Sequence, residues 1–143
     1  MTLPYRPGQF VWCRFPAAEQ PASPGPKLRI GYVQDVQRVG HDVFVATLYT
    51  TTAHWPGDTP LPLGVIPIAG QQAEKLSQRP FVIDARCIAL LPIVADFFPH
   101  MADADHGVKG EAPAGLARRI TAVLVEMQRR QVMIEVRGPG RRR

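Results

Sequence analysis

Between positions 16 and 27 the chain places four prolines, Pro16, Pro21, Pro24 and Pro26. Proline lacks a backbone N–H and fixes φ, so this stretch forms neither helix nor strand interior. Twelve residues of loop therefore separate two apolar runs. That is long for a connection within a compact domain, and such loops often carry function. Prolines and glycines recur along the chain, fifteen and twelve in all. They leave room only for short elements joined by long loops.

The runs between these interruptions alternate with period two and are rich in β-branched and aromatic residues, the pattern of strands. Gln9 to Phe15 reads as a strand entered through Pro7-Gly8. Leu28 to Gln37 and Val43 to Thr50 read as two more, joined by the turn Val39-Gly40-His41-Asp42 into a hairpin. Leu63 to Ile68, Phe81 to Ile83 and Arg86 to Leu91 are further strand-like runs, and Gly70 to Ser77 has a short helical pattern. Five or six short strands with one short helix predict a mostly-β fold built as a small barrel. Residues 101–113 are polar and glycine-containing, which predicts a linker after a domain over residues 1–100. Beyond it, Leu116, Ile120, Val123, Leu124 and Met127 share one face of an amphipathic helix, so residues 114–137 read as a helix and its extension. That face either completes the core or covers a groove of the barrel as a built-in regulator. Residues 138–143, G-P-G-R-R-R, are expected to be disordered.

The net charge of +5 tempts one toward a nucleic-acid partner, but its location matters. Residues 1–100 carry eight Lys and Arg against seven Asp and Glu, whereas residues 112–143 carry eight Arg against Glu126 and Glu135. The basic character belongs to the tail. No apolar run approaches the roughly 20 residues of a membrane span. The N-terminus lacks a signal-peptide pattern, so a cytoplasmic location is expected. Cys13 and Cys87 sit singly in apolar runs, read as buried free thiols rather than a metal or redox pair. Neither a phosphate-binding glycine loop nor a zinc or serine-hydrolase motif occurs. His41, His54, His100 and His106 are scattered in turns and linkers.

Two features rise above this background. Arg29 opens a strand just after the proline-rich loop, and Thr50-Thr51-Thr52 ends the next strand. In an antiparallel hairpin the start of one strand lies beside the end of its partner. The arginine and the hydroxyls then share one end of the sheet, where they can hold a phosphate. Threonine runs are also common at strand ends, and an arginine there can be a plain surface charge. The residues alone leave both readings open.

In order along the chain, five motifs resemble those of the MazF/PemK (Kid) toxins of bacterial toxin–antitoxin systems. P-G-Q-F-V-W-C-R-F resembles their first strand, and Glu19-Gln20 matches a pair that some members carry in the first loop. G-P-K-L-R-I-G-Y-V resembles their arginine-bearing strand, and Y-T-T-T-A their hydroxyl-bearing strand end. Q-R-P-F-V-I-D-A-R-C-I-A-L-L-P with Phe97-Phe98 resembles their closing strand. The resemblance covers about residues 5–99; Ile30, Gly31 and Ala53 stand where Pro, Ala and Gln are usual. It implies an SH3-like barrel that pairs as a homodimer. Implied too is a cofactor-free, metal-independent, ribosome-independent endoribonuclease that cleaves single-stranded RNA and is silenced by a cognate antitoxin. Carried over, Arg29 stabilises the charge building on the phosphate as the ribose 2′-OH attacks, and Thr51 and Thr52 hold that phosphate. Glu19 is the matching general base, with Asp84 and His54 as alternatives. Thr50, His54, Lys27, Arg79 and Asp84 are the further RNA-contacting positions. The alternative function is a catalytically silent barrel that binds a protein partner or RNA.

Overall fold

The computed structural model describes residues 3–52 and 60–142. Strands β1 (Gln9–Cys13), β2 (Arg29–Val39) and β3 (Asp42–Thr51) come first, followed by β4 (Val65–Ile68) and helix α1 (Gln71–Lys75). Then come β5 (Phe81–Pro92), β6 (Val108–Glu111), helix α2 (Ala114–Arg129), β7 (Glu135–Arg137) and a 3-10 turn (Pro139–Arg142). The expected mostly-β architecture with a short helix and a C-terminal amphipathic helix is present. Seven strands form one barrel-like sheet in the order β4-β5-β3-β2-β1-β6, with β7 alongside β5. The outer strands β4 and β6 do not pair, so the sheet is not closed. No helix among the described residues is long and apolar enough to cross a membrane.

Alternation along the strands sends neighbouring residues to opposite faces, and here both faces are covered. On one face Phe10, Tyr32, Leu48, Ile66 and Ile83 pack with Ala73 of α1 and with Leu116, Ile120 and Met127 of α2. On the other, Val11, Val33, Val45 and Leu91 pack with Tyr5, Phe97 and Phe98. Of the two roles open to α2, the apolar stripe therefore fills that of core completion. Ile120 is 1% exposed and Met127 fully buried.

The two runs read separately as Phe81–Ile83 and Arg86–Leu91 are one strand. Between Leu48 and Tyr49 its register on β3 jumps from Ile88 to Asp84, the mark of a bulge that bends the strand. The first half of β5 pairs with β4, and the second carries β7 in parallel at Cys87–Ala89.

Two expectations for the C-terminal third are corrected. Residues 101–113 are not simply a linker, because β6 lies within them and pairs with β1. Its residues are half-buried or exposed, so the pairing rests on backbone hydrogen bonds that leave no apolar periodicity. Nor is the final stretch loose through Arg142. Gly138 donates its N–H to the Pro21 carbonyl at 2.5 Å, within the proline-rich loop. With φ of 94° it is in the left-handed region, and a Cβ there would run into the Leu90 backbone. That glycine ties the C-terminus to both β5 and the first loop.

Candidate functional site

Antiparallel pairing of β2 with β1 sets Arg29 opposite Cys13, at the end of the sheet where the first loop leaves. Behind it Gly31 makes room for the close approach of neighbouring strands. A Cβ at Gly31 would overlap Thr47 Cγ2 and come within 3.0 Å of Cys13 Sγ. Glycine at this position thus has a packing cause. Arg29 lies half-buried with its guanidinium carbon 5.2 Å from the centre of the Tyr49 ring, a cation–π contact. Among the described residues it forms no ion pair.

Arg29 lines two clefts. The first, about 220 Å³, is bounded by Trp12, Leu28, Arg29, Thr50, Thr51 and Thr52. The arginine and the threonine run are thus brought together at one end of the β2–β3 hairpin. Their roles divide, however. Thr50 is buried, and its hydroxyl donates to the Ile30 carbonyl, so it ties β3 to β2. Thr51 is half-buried and Thr52 exposed at the cleft.

The second cleft, about 330 Å³, is lined by Phe15, Glu19, Lys27, Arg29, Tyr49 and Arg137, among others. Here the proline-rich loop folds back on the sheet: Gly25 N–H donates to the Arg14 carbonyl at 3.2 Å. The fold-back places the exposed Glu19 and Lys27 in the lining of the cleft that the same arginine lines. Arg137 enters from β7, a residue for which the sequence offers no local signal. Tyr49 and Trp12, half-buried on strands whose neighbours are core, also line the clefts without any sequence motif that marks them as site residues.

Two expected positions do not join this constellation. Asp84 lines neither cleft. Its carboxylate accepts from Arg86 Nε at 2.9 Å and Nη2 at 2.8 Å. Burial pushes its pKa up, but the Arg86 hydrogen bonds and charge outweigh that and hold it below the usual carboxylate value. A carboxylate so paired is a poor proton acceptor. Arg79 is exposed and lines neither cleft, although its neighbour Gln78 reaches the first. His54 and Ala53 lie outside the described residues.

Cys13 is the cross-strand partner of Arg29. Burial pushes its thiol up to about 12 against a smaller downward pull from the Arg29 charge, so it remains a protonated packing group. Among the described residues no group of three or more His, Cys, Asp or Glu is placed to hold a metal ion. Chemically, the arrangement offers a cation and hydroxyl donors in the first cleft, with three cations and one carboxylate lining the second. It suits an oxyanion such as a phosphodiester. No family model, curated protein or solved structure matches the chain, so the reading of the site rests on this geometry.

Proposed function

We propose that the protein is a metal-independent endoribonuclease of toxin type that cleaves single-stranded RNA in the cytoplasm. One observation carries the reading: Arg29 lies at the junction of a hydroxyl-lined cleft and a cleft that holds a carboxylate. In that arrangement Thr51 and Thr52 bind the scissile phosphate, and Arg29 stabilises the negative charge that grows on it. Glu19 accepts the 2′-OH proton as the 2′-oxygen attacks phosphorus. The bond to the 5′-oxygen breaks, that oxygen takes a proton from water, Glu19 gives its proton back to solvent, and the RNA upstream is left with a 2′,3′-cyclic phosphate. The nucleophile belongs to the substrate and is already held next to the phosphate, which explains a site without an activated Ser or Cys. Unpaired RNA fits best, because only splayed bases can enter the cleft that the half-buried Trp12 lines. The resemblance to the toxin family extends the proposal to a homodimer and to a cognate antitoxin as inhibitor.

Induced expression of the wild type beside Arg29→Ala tests this in cells. The proposal expects growth arrest with cleaved RNA from the wild type and neither from the variant. Equal toxicity of the two would refute the site, and a harmless wild type would refute the activity.

A second reading, a catalytically silent barrel that binds RNA or a protein partner, has its own support. Thr50 and Asp84 are committed to structural bonds, and the first cleft has no carboxylate in its lining, leaving as general base only the exposed Glu19 of the second cleft. Binding of a single-stranded RNA by the purified wild type with no cleavage would favour it.

A further inference from the structure

The second cleft contains more positive charge than the attack on one phosphate requires. Arg137 reaches it from β7, in the part of the chain that lies outside the toxin resemblance, and two features hold it there. Its Nη1 donates to the Pro16 carbonyl at 2.9 Å, and its Nε donates to Glu135 Oε2 at 2.7 Å. Its guanidinium carbon lies 6.0 Å from the centre of the Phe15 ring. Phe15 in turn packs on Tyr49, ring centres 5.1 Å apart, and Tyr49 carries Arg29 on its own ring. Two guanidinium groups thus flank one aromatic pair, with Lys27 on the same rim.

Arginine has five N–H donors in a fixed fork. Pro16 takes one from Nη1 and Glu135 takes one from Nε, and Nη2 lies 2.5 Å from the same Glu135 Oε2 as an ion pair. One N–H on each terminal nitrogen is left for a ligand. The side chain is only 16% exposed, so its position is fixed before anything binds. Preorganisation of this kind suits bidentate contact to a phosphate.

We infer that Arg137, Arg29 and Lys27 form a second phosphodiester subsite, adjoining the Thr51–Thr52 cleft through the shared Arg29. The C-terminal strand is then part of the RNA-binding site, and the polymer is held at two successive phosphates, only one of which reacts. The inference rests on the RNA reading proposed above. Glu135 sets its strength, because it offsets much of the Arg137 charge.

The test uses the full chain and a single-stranded 2′-O-methyl RNA 12-mer, which cannot supply the attacking hydroxyl. Its affinity is followed by fluorescence anisotropy between 50 and 200 mM salt. For single strands each phosphate contact contributes about 0.7 to the slope of log affinity against log salt. Arg137→Gln should lower the magnitude of the slope by about 0.7, which is about 2.6-fold in affinity over that fourfold salt range. Arg137→Lys should keep the wild-type slope, because the charge remains. A purely structural arginine would instead lose thermal stability in both variants and leave the slope alone. Glu135→Gln removes the opposing charge but keeps an amide oxygen that can accept from Arg137 Nε, so it should tighten binding most at low salt; unchanged affinity would overturn the subsite even where Arg137→Gln does not fold. An unchanged slope in Arg137→Gln, with a reduced one in Arg29→Ala, would overturn the subsite and leave the RNA reading intact. A wild type whose affinity ignores salt would overturn both.

Discussion

If α2 completes the core, trimming its buried stripe must cost what a core truncation costs. Ile120 is the sharpest probe, being 1% exposed and packed in the cluster that contains Phe10, Leu48 and Ile83. Ile120→Ala removes three buried carbons. At about 0.8 kcal/mol each, transfer alone contributes about 2.4 kcal/mol. The cavity relaxes only in part, which raises the expected loss to about 3–4 kcal/mol. The assay is equilibrium urea unfolding. With a slope of about 2 kcal/mol per molar urea, the midpoint should fall by about 1.5–2 M. Val125 is 59% exposed on the same helix, so Val125→Ala is the internal control and should stay within about 0.5 kcal/mol. A loss below about 1 kcal/mol at Ile120 would refute the packing. The helix would then be a detachable cover, and removing residues 112–143 would raise activity instead of destabilising the domain.

Three other predictions follow from the packing and the titrating groups. Gly31→Ala should destabilise by about 1–3 kcal/mol, because Thr47 and Cys13 leave no space for a methyl group; a neutral result by urea unfolding contradicts that contact. The buried thiols of Cys13 and Cys87, both raised to about 12, should resist alkylation at pH 8 in the folded protein and react at once in urea; rapid labelling of the folded protein would contradict their burial. The same two thiols, raised from 9.0, keep protons that the unfolded chain releases, so stability should fall progressively as pH rises from about 9 toward 12. Asp84 works in the opposite direction. Its lowered pKa contributes stability above its usual value of 3.8 that is lost as the pH falls through the folded value. Urea midpoints at pH 3, 5, 7, 9 and 11 check both limbs, and a flat profile contradicts them.

What the sequence disclosed, and what it hid, divides along the range of the interactions. The β2–β3 hairpin was legible because its alternation and the Gly40-His41 turn are local signals. The α2 stripe was legible because a period near 3.6 needs no partner to be seen. By contrast, β6 and β7 are edge strands of four and three residues, held largely by backbone groups that every residue possesses. Nothing in their composition announces a pairing partner, and the parallel contact of Glu135–Arg137 with Cys87–Ala89 spans almost fifty residues of chain. The site divides in the same way. Arg29 and the threonines meet because antiparallel geometry obliges them to, whereas Arg137 arrives through that silent parallel pairing. Asp84 looked available because its ion pair with Arg86 depends on a bend in β5 that the two separate apolar runs concealed.

The central claim is that Arg29 stabilises a phosphate under attack by the neighbouring 2′-hydroxyl. Purified wild type and Arg29→Ala, incubated with a single-stranded RNA and its all-2′-O-methyl counterpart, test it directly. The account predicts cleavage of the unmodified RNA alone, products ending in 2′,3′-cyclic phosphate, and a loss of about 10²–10³-fold in rate for the variant. Cleavage of the methylated strand, or an undiminished rate in Arg29→Ala, would contradict it.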